Sequence, residues 1–146
     1  MLTQCREDLI TRTFESIAGA KSAIVHFYNS TSTTQRRVVF RSDRAGIVDI
    51  AVEGAKLCRE LRDKDANPDR IRFEYSPESY TGTEPDYAVE ICEAVMDVLE
   101  PTPDNPLIFN LPATVEMSTP NLYADMVERF LRDITRSYFM ILTNAL

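Results

Sequence analysis

Three short apolar runs, AIVHFY (23–28), IRFEY (71–75) and PLIFNL (106–111), are separated by far longer stretches whose apolar residues recur every three or four positions. This alternation constrains the fold more than any other feature of the chain. The short runs are rich in β-branched and aromatic residues, which suit a pleated strand. The long stretches carry helical stripes. Strands joined through helical crossovers pair in parallel, so the expected class is α/β.

The helices are legible from their stripes and punctuation. Residues 6–18 space Leu9, Ile10, Phe14 and Ile17 helically, with Glu7 and Asp8 in the first turn and Gly19 placed to end it. A second helix, from about 43 to 65, carries Ile47, Ile50, Ala51, Gly54, Cys58 and Leu61, and Pro68 marks its stop. Thr83 is predicted to cap a third, with Pro85 just inside and a stripe of Ala88, Ile91, Cys92, Val95 and Leu99. Thr119-Pro120 opens a fourth, with Tyr123, Val127, Phe130, Leu131 and Ile134, and SYFMILT (137–143) reads as a further strand. Only Met1 to Arg6 precede the first helix, so a strand before it is expected to be cut short.

Element order alone fits either a flavodoxin-like open sheet or an arc of a (βα)₈ barrel. Splitting each strand into its two faces favours the barrel. Val25, Phe27, Phe73, Tyr75, Phe109 and Leu111 make one face apolar, whereas Ile24, His26, Tyr28, Arg72, Glu74, Ser76, Ile108 and Asn110 make the other largely polar. A sheet covered by helices on both sides is apolar on both. A barrel interior opening into a site at the C-terminal strand ends can carry polar groups, and loops there hold reactive residues. Asn29 to Gln35, Pro77 to Ser79, and Ala113 to Glu116 are read as such loops.

Composition narrows the function classes. A formal net charge of −7 speaks against nucleic acid as a partner, and the basic cluster Arg36, Arg37, Arg41 and Arg44 reads as a solvated face or an anion site. No window reaches the apolar length of a membrane span, and the N-terminus lacks the pattern of a signal peptide. Cys5, Cys58 and Cys92 are widely spaced, with no CxxC, which suggests reduced thiols packed as small hydrophobes in a cytoplasmic protein.

Each candidate residue also has a plain structural use. His26, the single histidine, could be a satisfied core residue; Glu74 and Arg72 could pair; Asn110 and Thr114 could cap turns. Glu78, beyond a strand end, is better placed for acid–base work. No His-x-His, HExxH, GxGxxG, P-loop or GxSxG is present, so no metal site is expected within the chain.

At HFYNSTSTTQRRVVF (26–40), FEYSPESYTGTE (73–84) and FNLPATVEMSTPNLYADM (109–126), the chain closely resembles the 2-isopropylmalate synthase family. The likeness runs from about residue 2 to 132, with 133–146 as a divergent tail, and related homocitrate and citramalate synthases match these blocks less well. The resemblance implies a partial TIM-barrel catalytic domain over 1–146, from the end of the barrel's third strand through its sixth and into its seventh. It implies an acyltransferase that joins acetyl-CoA to 2-oxoisovalerate, hydrolyses the thioester, and acts as a homodimer in leucine biosynthesis with a divalent metal (Mg²⁺, Mn²⁺ or Zn²⁺). Glu78 matches the family's acid/base carboxylate. His26, Tyr28, Ser76, Asn110 and Thr114 match positions around the oxo acid. The family's metal ligands lie on barrel strands one, seven and eight, and no counterpart occurs here. The chain by itself is therefore expected to be inactive, and a non-catalytic product that pairs with a barrel partner is the alternative reading.

Overall fold

The computed structural model describes residues 1–144. Its strands are β1 (Leu2–Gln4), β2 (Ala23–Ser30), β3 (Ile71–Glu78), β4 (Leu107–Pro112) and β5 (Phe139–Asn144). Between them run α1 (Glu7–Ser16), the one-turn α2 (Thr33–Gln35), α3 (Arg44–Asp63), α4 (Pro85–Leu99) and α5 (Pro120–Asp133). All strands pair in parallel, in the order β1-β2-β3-β4-β5. A flavodoxin-like sheet reverses its strand order and carries helices on both faces. Here the order is monotonic and the helices share one side, each long helix packing on the next. The fold is an arc of an α/β barrel.

The core lies between the sheet's outer face and that helical layer. Val25, Phe27, Tyr75, Phe109 and Leu111 are fully buried there, against Ile47, Ala51, Cys58, Ala88, Ile91 and Val95. Aromatic rings cross the face strand by strand: Phe27 lies 5.2 Å from Tyr75, Tyr75 lies 6.4 Å from Phe109, and Phe109 lies 6.0 Å from Phe130. Such edge and tilted pairs add to the energy of burial. Cys58 and Cys92 are buried in this core, and all three thiols are free.

Local chemistry sets the helix ends. The Asp43 carboxylate accepts from Gly46 N at 2.9 Å and starts α3, and Gly19 takes a φ of +79° beyond α1. Gly54 permits close approach of α3 to Cys5, just after β1, since a Cβ there would lie 2.9 Å from the Cys5 sulfur.

Several expectations need correction. The N-cap of α4 is Glu84, because the Thr83 hydroxyl is spent inward on the Ser79 carbonyl at 3.0 Å and on Thr31 at 2.7 Å. Leu131 is exposed, as it falls off the stripe that buries Phe130 and Ile134. Asn29, Ser30, Pro77 and Glu78 belong to strands, not loops. Thr31 N donates to Glu78 O, so the Glu78 backbone faces β2 and that of Pro77 faces β4. Pairing with β4 is confined to Glu74–Ile108 and Tyr75–Phe109, so the missing N–H of Pro77 falls where that ladder has ended. Asn29 points outward, accepting from the Tyr75 hydroxyl at 2.8 Å and donating to Ile47 O at 3.3 Å.

Candidate active site on the inner face

Parallel register brings the polar faces of the strands side by side. His26 lies opposite Glu74, Tyr28 opposite Ser76, and Ser30 opposite Glu78. Leu2 and Gln4 extend the first two rows on β1, and Ile108 extends the first on β4. Alternation along β4 then puts Asn110 on the same face, one row higher.

Two polar clusters form on this face. In the lower one, His26 Nε2 lies 2.6 Å from the Ser76 hydroxyl, and His26 Nδ1 lies 3.3 Å from a Glu74 carboxylate oxygen. Burial lowers the His26 pKa to about 4 and raises that of Glu74. The imidazole is therefore neutral at physiological pH although a carboxylate is near. The expected Glu74–Arg72 pairing does not form, because the register sets Glu74 against His26 and leaves Arg72 exposed.

The upper group surrounds Glu78, on the rim. Its carboxylate accepts from Ser30 Oγ at 2.5 Å, Gln35 Nε2 at 3.3 Å and Ser79 Oγ at 3.0 Å. Ser79 has a φ of +60°, unusual for a residue with a side chain, and this turn brings its hydroxyl back onto Glu78. Thr31 fixes the backbone beneath, donating from its hydroxyl to Glu78 O at 3.1 Å. These donors fix the orientation of the carboxylate.

Asn110 is 3% exposed, and its Oδ1 has no hydrogen-bond partner. An unmet buried acceptor costs about 1–3 kcal/mol, so such an atom marks a place where a ligand can supply the donor. Tyr28 lines a cleft at the rim with Gln4, Ser30, Gln35, Val39 and Phe40. Thr114 sits on an exposed turn after β4 and makes no side-chain hydrogen bond to either group.

The structure thus joins His26 to Ser76 and gives Glu78 a defined setting, while Tyr28, Asn110 and Thr114 remain separate from both clusters. Residue reasoning missed Glu74 as the partner of His26, and it missed Ser30 and Gln35 beside Glu78. Strand alternation would have found Ser30, four residues after His26 on the same face. The basic cluster also divides: Arg36 is buried against Glu84, Arg44 pairs with Glu84 and Asp86, and Arg37 and Arg41 are exposed.

Among the described residues, no three His, Cys, Asp or Glu side chains converge to hold a metal ion. The sole histidine is already committed to Glu74 and Ser76. The inner-face residues therefore do not by themselves fit a metal centre.

A parallel α/β barrel arc with titratable groups at the C-terminal strand ends defines the class, an α/β-barrel domain. The HMGL-like family matches residues 1–142, and the chain belongs to that family. The chain is 67% identical over 132 residues to a 2-isopropylmalate synthase of Rhodospirillum rubrum, covering 90% of this chain and 24% of that protein. It is 59% identical to the synthase of a Parafrankia species and 60% identical to that of Mycobacterium ulcerans, each match covering 98% of this chain and 25% of the relative. The chain spans about a quarter of the length of these curated relatives.

Proposed function

We propose that this chain forms part of the catalytic barrel of a 2-isopropylmalate synthase, an acyltransferase that condenses acetyl-CoA with 2-oxoisovalerate. The observation that carries this reading is the 57–67% identity to relatives of that name, which extends over the polar inner face. In this reading 1–146 is one partial barrel domain, acting in the cytoplasm within a homodimer.

The reaction removes a proton from the acetyl methyl group of the thioester. The resulting carbanion equivalent adds to the ketone carbon of the oxo acid, and water then cleaves the thioester to release CoA. Glu78 is the group for proton transfer, since it stands at the rim and is oriented by three donors. His26, Tyr28, Ser76, Asn110 and Thr114 line the oxo-acid side. The HMGL-like family is generally dependent on a divalent metal, which polarises a carbonyl as a Lewis acid. The ligands for it would come from parts of the protein beyond this sequence, and this chain would bind, orient and move the proton.

In the complete protein, Glu78→Gln should lower kcat by about 10²-fold or more while leaving the KM for 2-oxoisovalerate within a few fold. Thiol release with both substrates measures this. Undiminished turnover by the variant would remove Glu78 from its role. The 146-residue chain supplied alone should release no thiol.

A further inference from the structure

We propose that Glu74 is a positioning residue that fixes the tautomer of His26, and through it the direction in which the Ser76 hydroxyl donates. The inference rests on the synthase reading only for what the pocket binds.

The three side chains form a line across β3 and β2. Glu74 Oε1 lies 3.3 Å from Nδ1, and Nε2 lies 2.6 Å from Ser76 Oγ. A neutral imidazole carries one proton, and the nitrogen without it is an acceptor. A carboxylate beside Nδ1 holds the proton there, which leaves the Nε2 lone pair to accept from Ser76. Acid, imidazole and hydroxyl follow the order of a hydrolytic triad. Ser76 is 2% exposed, however, so its oxygen is not open to attack a substrate carbon. The arrangement positions the ring instead.

With its proton turned to His26, Ser76 holds the imidazole on the Nε2 side while Glu74 faces the Nδ1 side, and the ring is fixed in one tautomer and one orientation on the inner face.

The chain holds one histidine, so selective ¹⁵N labelling yields a single imidazole. Two-bond ¹H–¹⁵N spectra of the 146-residue chain report which nitrogen bears the proton. The Nδ1–H form should exceed the other by about tenfold or more, since a carboxylate 3.3 Å from Nδ1 favours a proton on that nitrogen. Glu74→Gln should keep that form, since its amide oxygen still accepts, whereas Glu74→Leu should lose the preference. Ser76→Ala should keep the tautomer and shift only the Nε2 resonance. A dominant Nε2–H form in the unaltered chain, or an unchanged ratio in Glu74→Leu, would overturn the proposal.

The spectra need no substrate, so a protein that releases no thiol would count against the synthase reading and leave the tautomer result standing.

Discussion

At the scale of single residues, His26 carries the clearest consequence for stability. Glu74 and Ser76 face it from β3, Arg72 lies one row below on the same face, and the Met1 ammonium sits nearby on the Ile24 carbonyl at 2.8 Å. Its pKa falls from an ordinary 6.5 to about 4 because burial disfavours the charged ring. Between those values the unfolded chain binds a proton that the folded chain does not. The contribution of His26 is thus fully present above pH 6.5 and is lost as pH falls from 6.5 through 4. Urea unfolding at pH 7 and pH 5 should show a larger loss for the unaltered chain than for His26→Gln. Parallel losses would mean that the ring is not buried as described. That His26 belongs on the polar face follows from alternation alone. Its partner Glu74, 48 positions further on, depends on the register between two strands, and no local pattern in either strand encodes that.

At the scale of elements, the stretch after β2 shows where local patterns mislead. Residues 36–44 contain four arginines and read as one basic surface. In the fold, Arg36 turns inward and grips both Glu84 oxygens, at 2.6 and 2.8 Å, while also donating to Thr31 O at 2.5 Å. Its guanidinium lies 4.8 Å from the centre of the Tyr87 ring. Glu84 is held ionised, with its pKa down at about 2, chiefly by the hydrogen bond from Arg36. This clamp joins the segment after β2 to the start of α4, and Thr31 carries it to the Glu78 backbone. Helix stripes and strand runs are written in hydrophobic period, so they were legible; a charged pair 48 residues apart is not. Removing one partner of a buried pair strands the other charge. Glu84 is one-third exposed, so Glu84→Ala should cost about 2–3 kcal/mol, below the fully buried range. Asp86→Ala, which breaks only an exposed contact of Arg44, should cost much less. Denaturant midpoints of the two variants make the comparison, and equal costs would mean that Arg36–Glu84 is no clamp.

At the scale of the whole molecule, the two faces of the sheet have different fates. The outer face is sealed by helices, whereas the inner face displays Leu2, Ile24, Met140 and Leu142, each more than two-fifths exposed. In a closed barrel such positions fill the interior with packed side chains. β1 and β5 each pair on one side only among the described residues, and an unpaired parallel edge can recruit further strands. Exposed apolar side chains on one continuous face, flanked by two open edges, favour association over a lone monomer. The 146-residue chain in isolation should therefore elute larger than a monomer on size exclusion and bind an apolar fluorescent dye. Leu142→Lys, which places a charge on the inner face without touching the outer core, should shift elution toward the monomer and reduce dye binding. A chain that elutes as a monomer and leaves the dye dark would show that the inner face is covered from within, contrary to the open arc described above.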